Sequence, residues 1–407
     1  MQDITKNSLA AQVDFRQVLR PSPFQPRVDA LGSIENWMAW NGYKVARTYD
    51  TLAAEYFSIR STCSVMDLTP MEKYRITGPD AKAFLNRLVT RDISSLKPQR
   101  VTYVVWCNDE GKVLDDGTIF HLHEGDYRLC AQHHQLDWLL LSSLGFDVTI
   151  TEETHDVAAL AIQGPTSFSA LTAAGLEDLD CLKPFDIAFR SLNGFDVMIS
   201  RTGFTGDLGY EIWTDPSNAL ALWDQVFSVK QKGLFDVRPI GLGALEMVRV
   251  EAGFIMPGDD FNTAETAVRA DRDRSPYELG VGWLVNFEKS YFTGKKALLA
   301  ESERPAKRRL VRLAVEGNKP PIDAFLYDAK KGERIGTIKS CVWSPILKTN
   351  VASADIDFKN GDLPSQIWAE IYYQKELEWR ATWAKCHVSA KPFWVHPRSS
   401  ATPPGNF

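Results

Sequence analysis

Two stretches of this 407-residue chain put carboxylates where a folded sequence usually avoids them. In Val113-Leu114-Asp115-Asp116-Gly117-Thr118-Ile119-Phe120, adjacent acids interrupt an apolar run. Asp and Gly favour turns, yet Asn108-Asp109-Glu110-Gly111 already supplies one a few residues earlier. Neighbouring carboxylates in an apolar strand are costly unless something holds them. A carboxylate so held is suited to general acid–base work. On composition alone, turn and site stand level. The second stretch is SRTGFTGDLGYEIW (200–213), where Gly203, Gly206 and Gly209 precede the β-prone Tyr210-Glu211-Ile212-Trp213. Glu211 is either a solvated acid on a surface hairpin or an acceptor turned into a pocket. Glycines permit the tight backbone that the second reading needs.

Other chemistries find less support. TGFTGDLG loosely matches a dinucleotide-binding glycine pattern, but it leads into a strand where that pattern needs a helix. His121 and His123 share a face on a strand, yet no further ligand lies at a familiar metal spacing, so no metal is expected. No G-x-S-x-G nucleophile elbow occurs. The six cysteines are scattered without a C-x-x-C pair, which reads as reduced thiols. The net charge of -6 and the lack of a basic run argue against a nucleic-acid partner. No stretch approaches the ~18 apolar residues of a membrane span, and MQDITKNSLAAQ lacks the pattern of a signal peptide. A cytoplasmic location is the expectation.

The carboxylates need elements to carry them. Residues 1–44 form an N-terminal arm, of which 1 to about 32, with Pro21, Pro23 and Pro26, read as extended. Leu52, Tyr56 and Ile59 are spaced for an amphipathic helix over 48–62. A strand follows over 72–78, and Pro79-Asp80 opens a helix over 79–89. Residues 101–122 read as two strands around the Asn108–Gly111 turn, and 134–144 as a helix. A buried strand, a Gly-Pro break and a helix span 157–176, with another helix at 217–230. Strand, helix and hairpin thus recur, predicting two α+β lobes within 45–300. Charged residues 301–309 read as a linker, and short alternating runs over 308–400 predict a small antiparallel barrel.

Six collinear segments then resemble the glycine-cleavage T-protein (aminomethyltransferase) family, which includes folate-dependent demethylases. They are MDLTPMEKYRITGPDA (66–81), CNDEGKVLDDGTI (107–119), LAIQGPTS (160–167), SRTGFTGDLGYEIW, RPIGLGALEMVRVEAG (238–253) and GTIKSCVWSPILKTNVA (336–352). The resemblance implies an α+β cloverleaf of three domains around a central channel for tetrahydrofolate. It makes Asp116 the catalytic carboxylate and Glu211 the acid that holds the pterin, whose adjacent N–H and amino group a carboxylate accepts together. Met71, Tyr103 and Trp283 match positions that flank the folate.

Departures from the pattern bear on the substrate. The glycine-cleavage members carry Arg-Asp where Leu245-Glu246 stand, Tyr where Phe204 stands, and Ser-His where Thr69-Pro70 precede Met71. Replacing an arginine by leucine is not neutral. The resemblance therefore implies folate machinery kept and a donor changed: a small N-, S- or O-methylated metabolite demethylated to give methyl-tetrahydrofolate. Phe204 and Leu245 would face that donor, and Trp106, with Trp283 and Tyr103, would form an aromatic wall for a methylammonium or sulfonium. The alternatives are a true aminomethyltransferase acting on a lipoyl carrier protein, and a folate-binding regulator without turnover.

Overall fold

The computed structural model describes residues 18–401 and Pro403, apart from positions 33, 35, 270, 305, 306 and 359–361. The first part of the expected arm, residues 1–17, lies outside the described residues. The rest of the arm is not extended. It forms helix α1 (Gln25–Asp29) and a hairpin of β1 (Trp37–Trp40) and β2 (Tyr43–Ala46). Pro26 suits the first turn of α1, where no N–H partner is needed. Phe24 and Val28 are buried in the main core, which drives the arm onto the body. The hairpin tip, Asn41-Gly42, has positive φ at both residues, as a tight two-residue hairpin turn demands.

Helix α2 (Leu52–Ser61) begins at Thr51, whose hydroxyl accepts from the Ala54 N–H at 3.2 Å. Then follow β3 (Cys63–Asp67), β4 (Glu72–Thr77), α3 (Ala81–Leu88), β5 (Arg100–Cys107), β6 (Val113–His123), β7 (Asp126–Ala131), α4 (Leu136–Ser142) and β8 (Thr149–Glu152). Asp80 precedes α3 as expected, but its carboxylate accepts from the Asp147 N–H at 2.9 Å and makes no cap. The second lobe brings β9 (Ala158–Gln163), α5 (Ser167–Ala173), β10 (Ile187–Leu192), β11 (Phe195–Ser200), β12 (Gly209–Thr214), α6 (Ala219–Gln231), β13 (Val237–Pro239) and α7 (Leu242–Ala252).

Two sheets result. One is antiparallel, in the order β5-β6-β7-β4-β8; the other runs β10-β11-β12-β9-β3-β13. The lobes are therefore not cut sequentially: β3, from the first lobe's stretch of chain, pairs antiparallel with β9 and parallel with β13. The outer face of the five-stranded sheet packs on α3 and α4 through Tyr74, Phe84, Leu85, Leu88, Trp106 and Leu139. The outer face of the six-stranded sheet packs on α5 and α6. The inner faces meet each other and helices α2 and α7. There Phe120 meets Trp213 edge-on at 5.2 Å, and the Arg128 guanidinium lies 5.5 Å from the Trp213 ring centre.

After α8 (Lys295–Ser302), the strands β14 (Arg308–Val315), β15 (Phe325–Tyr327), β16 (Arg334–Ser344), β17 (Thr349–Asp357), β18 (Ile367–Lys375) and β19 (Glu378–Ser389) close a barrel in the order β14-β17-β16-β15-β18-β19. The barrel is tied to α7 by Arg249, which is fully buried and reaches Glu246, Asp260 and the Ser340 hydroxyl.

Candidate active site

The acidic pair lies inside β6, not in a turn. Side chains alternate across a strand, so Asp115 and Asp116 point to opposite faces. Asp116 pairs with Val105, and Thr118 with both Tyr103 and Cys130, which places Asp116, Tyr103 and Cys130 on the inner face. Asp115 pairs with Trp106 on the outer face. Trp106 is accordingly not part of a wall facing the inter-sheet space. It is fully buried in the helix-backed core, its indole N–H donating to Gln135 Oε1 at 3.2 Å. The expectation for Trp106 fails because it is one residue out of phase with Asp116.

Asp116 is 8% exposed, and Asp115 is completely buried. The Tyr103 hydroxyl donates to Asp116 Oδ2 at 2.5 Å. Burial, then the neighbouring Asp115 charge, raises the Asp116 carboxyl to about 7, against the opposing pull of the Tyr103 hydrogen bond. Burial beside Asp116 in turn holds the Tyr103 phenol well above its ordinary value. The Tyr103 ring lies 6.4 Å from that of Trp283. Trp283 is 67% exposed, with the Arg91 guanidinium 5.6 Å from its ring centre. Tyr103 thus links the buried acid to an aromatic surface open to water.

Glu211 enters from the other sheet. Its cross-strand partners are Ser200 and Ala161, and Met66 and Trp213 share that face; all but Ser200 and Glu211 belong to the inner cluster. Its carboxylate accepts from Thr202 Oγ1 at 2.6 Å and Ser200 Oγ at 3.4 Å. Among the described residues no cation pairs with it, and burial raises it to about 7. Cys130, across on the five-stranded sheet, has its thiol pushed up to about 12, chiefly by burial and partly by the Glu211 charge. Each acid therefore lies on the inner face of its own sheet, Asp116 beside Tyr103 and Val105, and Glu211 within electrostatic reach of Cys130 on the opposite sheet.

The glycines of the 200–213 loop have a definite job. A Cβ at Gly203 or at Gly209 would stand 2.1 Å from Gln163 Oε1. The loop is wound around that carboxamide: Gln163 Nε2 donates to the Thr202 and Tyr210 carbonyls at 3.2 Å each, and Thr205 Oγ1 donates to Oε1 at 3.0 Å. Gln163 is the residue that sequence reasoning missed. Its only signal was a buried polar side chain ending an apolar strand just before Gly164-Pro165.

Met71, Phe204 and Leu245 join one apolar cluster on this interior, together with Trp40, Leu242 and Met247. Phe204 also stacks on Phe254 at 5.2 Å. Leu245 is 7% exposed. Asn41, at the hairpin tip, donates to the Pro70 and Gln132 carbonyls at 2.9 and 3.0 Å, which pins the loop carrying Met71. Buried Lys73 gives its ammonium to the Thr69, Met71 and Thr154 carbonyls from beneath.

His121 stacks on Tyr127, while His123 lies outward against Phe189. Among the described residues, no three His, Cys, Asp or Glu side chains are grouped to hold a metal ion. All six cysteines are free. No helix among the described residues is long and apolar enough to cross a membrane.

Comparison with known proteins agrees with this architecture. The family model described as the GCVT N-terminal domain matches residues 1–289. An aminomethyltransferase of Alkaliphilus metalliredigens is 31% identical over 335 residues, covering 81% of this chain and 87% of that protein. A trimethylamine-oxide aldolase of Ruegeria pomeroyi is 32% identical over 350 residues, covering 82% of this chain but 42% of its own. The glycine cleavage system aminomethyltransferase T from Bartonella henselae shares the fold, with a TM-score of 0.80 over 93% of this chain and 98% of that one, at 24% identity. The mixed lobes and closed barrel are those expected of this architecture. The chain belongs to the glycine-cleavage T-protein family, a family of one-carbon-group transferases.

Proposed function

We propose that this protein is a tetrahydrofolate-dependent transferase that removes a methyl group from a small N-, S- or O-methylated metabolite. The observation that carries the reading is the pair of buried acids, Asp116 and Glu211, on facing sheets. Neither has a cationic partner among the described residues, yet each lies on the inner face of its sheet and is held by neutral hydroxyls. Unpaired buried carboxylates are expensive, and a ligand offering N–H donors to one and a reacting centre to the other offsets that cost.

The residues fit a reduced pterin. Glu211 would accept its paired N–H groups with the charge-assisted strength of such contacts. Thr202 and Ser200 orient the carboxylate without neutralising it. Met71 and Tyr103 would flank the ring system, and exposed Trp283 the part nearer solvent. When bound, tetrahydrofolate supplies the nitrogen that accepts the one-carbon unit. Asp116, with a proton affinity near neutrality, is suited to hold or take a proton beside the transferred carbon. Tyr103 keeps that carboxyl in one orientation through its 2.5 Å hydrogen bond. The remaining contribution is positioning of donor against acceptor in a site that excludes water.

The donor side is apolar. Leu245 and Phe204 stand where an arginine and a tyrosine would recognise polar groups, and both lie in the cluster with Met71. The relative that is a trimethylamine-oxide aldolase extends well beyond the matched region, so this family region also occurs in proteins of other chemistry. Identity to aminomethyltransferases over most of their length keeps a second reading in play, transfer from an aminomethyl-lipoyl carrier protein. The deciding experiment incubates the protein and tetrahydrofolate with a panel of methylated amines, sulfonium compounds and methoxy-aromatics, and with an aminomethyl-loaded lipoyl carrier. Methyl-tetrahydrofolate by mass with a small donor supports the first reading. Ammonia release with the carrier alone replaces it with the second.

A further inference from the structure

Behind Asp116 stands a group that the proposed reaction has not used. Asp115, fully buried on the outer face of β6, accepts from two backbone N–H groups: its Oδ1 from Asp116 at 2.9 Å, and its Oδ2 from His133 at 2.9 Å. The His133 ring returns toward the same carboxylate, with Nδ1 3.7 Å from Asp115 Oδ2. That Nδ1 is buried and has no hydrogen-bond partner. A short movement of the ring would close it onto Asp115.

Asp115 and Asp116 are adjacent and buried, and the Asp115 charge raises the proton affinity of Asp116. Among the described residues, His133 is the only basic side chain that forms an ion pair with either of them. The charges that act on His133 most strongly are acidic: Asp115, Glu265 and Asp116, and His133 acts in turn on Asp259. Arg249, which comes within 3.7 Å of Asp259, is engaged by Glu246 and Asp260. Burial pulls the His133 proton affinity down, but Asp115 and the other acids outweigh it and leave it raised.

We propose that His133 is a positioning residue acting through Asp115: its imidazolium carries the charge that lets Asp115 and Asp116 be ionised at the same time. The three residues then form a chain from the loop after β7 through the β6 backbone to the inner face. Its use in turnover rests on the reading of Asp116 as the catalytic group, but the coupling itself does not.

The test needs no substrate. Unfolding is measured between pH 5 and 9 for the parent chain, His133→Gln, Asp116→Asn and the double variant. The difference between each Asp116 protein and its Asn counterpart reports the Asp116 proton together with its coupling to Asp115 and His133. In the parent background this difference levels off near pH 7; in the Gln background it is expected to level off at least about half a pH unit higher. His133→Arg, which retains a cation, is expected to restore the parent midpoint. Superimposable curves in the His and Gln backgrounds would overturn the proposal. A second readout avoids any folding defect in His133→Gln. The His133 imidazole, followed by proton NMR in the intact chain, is expected to titrate above 6.5 and to fall by about half a unit or more in Asp115→Asn. An unmoved titration there would equally sink it. Loss of turnover in Asp116→Asn bears only on the catalytic assignment.

Discussion

The Tyr103 hydroxyl donates to the Asp116 carboxylate across adjacent strands, at 2.5 Å, on the face of the sheet that looks into the interior. This bond opposes burial by favouring the ionised acid. Tyr103→Phe removes it while keeping the ring beside Trp283. A hydrogen bond to a charged group contributes about 1.5–3 kcal/mol, so the acid limb of the pH–rate profile is expected to move up by roughly one pH unit or more. Steady-state rates between pH 5.5 and 9 check this; an unshifted limb would separate Tyr103 from the titration.

Asp116→Asn should abolish most turnover yet stabilise the free protein at alkaline pH. The Asp116 carboxyl titrates at about 7 when folded, against an ordinary value of 3.8. Between those limits the folded chain holds a proton that the unfolded chain has released. Stability therefore falls as pH rises through that window and stays low above it. The Asn variant lacks this loss, so its advantage should grow from pH 5 to a plateau above about pH 7, reaching a few kcal/mol. Urea unfolding at pH 5 and pH 8 gives the comparison, and a constant difference would refute the burial argument.

Glu211→Gln retains the shape and one acceptor but loses the charge. Tetrahydrofolate affinity should weaken by about 1–3 kcal/mol, or roughly 5- to 150-fold, if a charge-assisted pair is lost. Calorimetric titration measures it. Unchanged affinity removes Glu211 from the binding site. The same variant should gain stability above about pH 7, since Glu211 is also raised by burial.

Gly209→Ala tests the loop wound on Gln163. The added methyl would meet a carboxamide that is 2% exposed and holds three hydrogen bonds, so yielding is costly. A loss of about 1–3 kcal/mol is expected, with weaker folate binding because Glu211 lies two residues on. Against a Gln163→Ala background, the same substitution should cost much less, and thermal unfolding of the four proteins measures that coupling. Equal costs in both backgrounds would mean the clash is not with Gln163.

Much of the scaffold was readable in advance. The strand pair around Asn108–Gly111, the helices α2, α3 and α6, and the C-terminal barrel follow from periodicity and turn chemistry, which act over a few residues. The arm was misjudged because Phe24 and Val28 find their core only by long-range packing; nothing nearby in sequence marks it. The same holds for β3, whose partners β9 and β13 lie about a hundred residues or more ahead.

The sequence by itself determined that two acids, Asp116 and Glu211, sit in β-prone stretches, the second behind glycines that admit a tight loop. Tertiary structure alone decided which member of each neighbouring pair faces inward. Pleat and register send Asp116 to the interior with Tyr103, while Asp115 and Trp106 turn to the helix-backed side. The physical reason is that a strand alternates strictly every residue, so facing depends on pairing with a distant strand and on which sheet covers it. Gln163 became visible for the same reason: its carboxamide fills a loop some forty residues further along the chain.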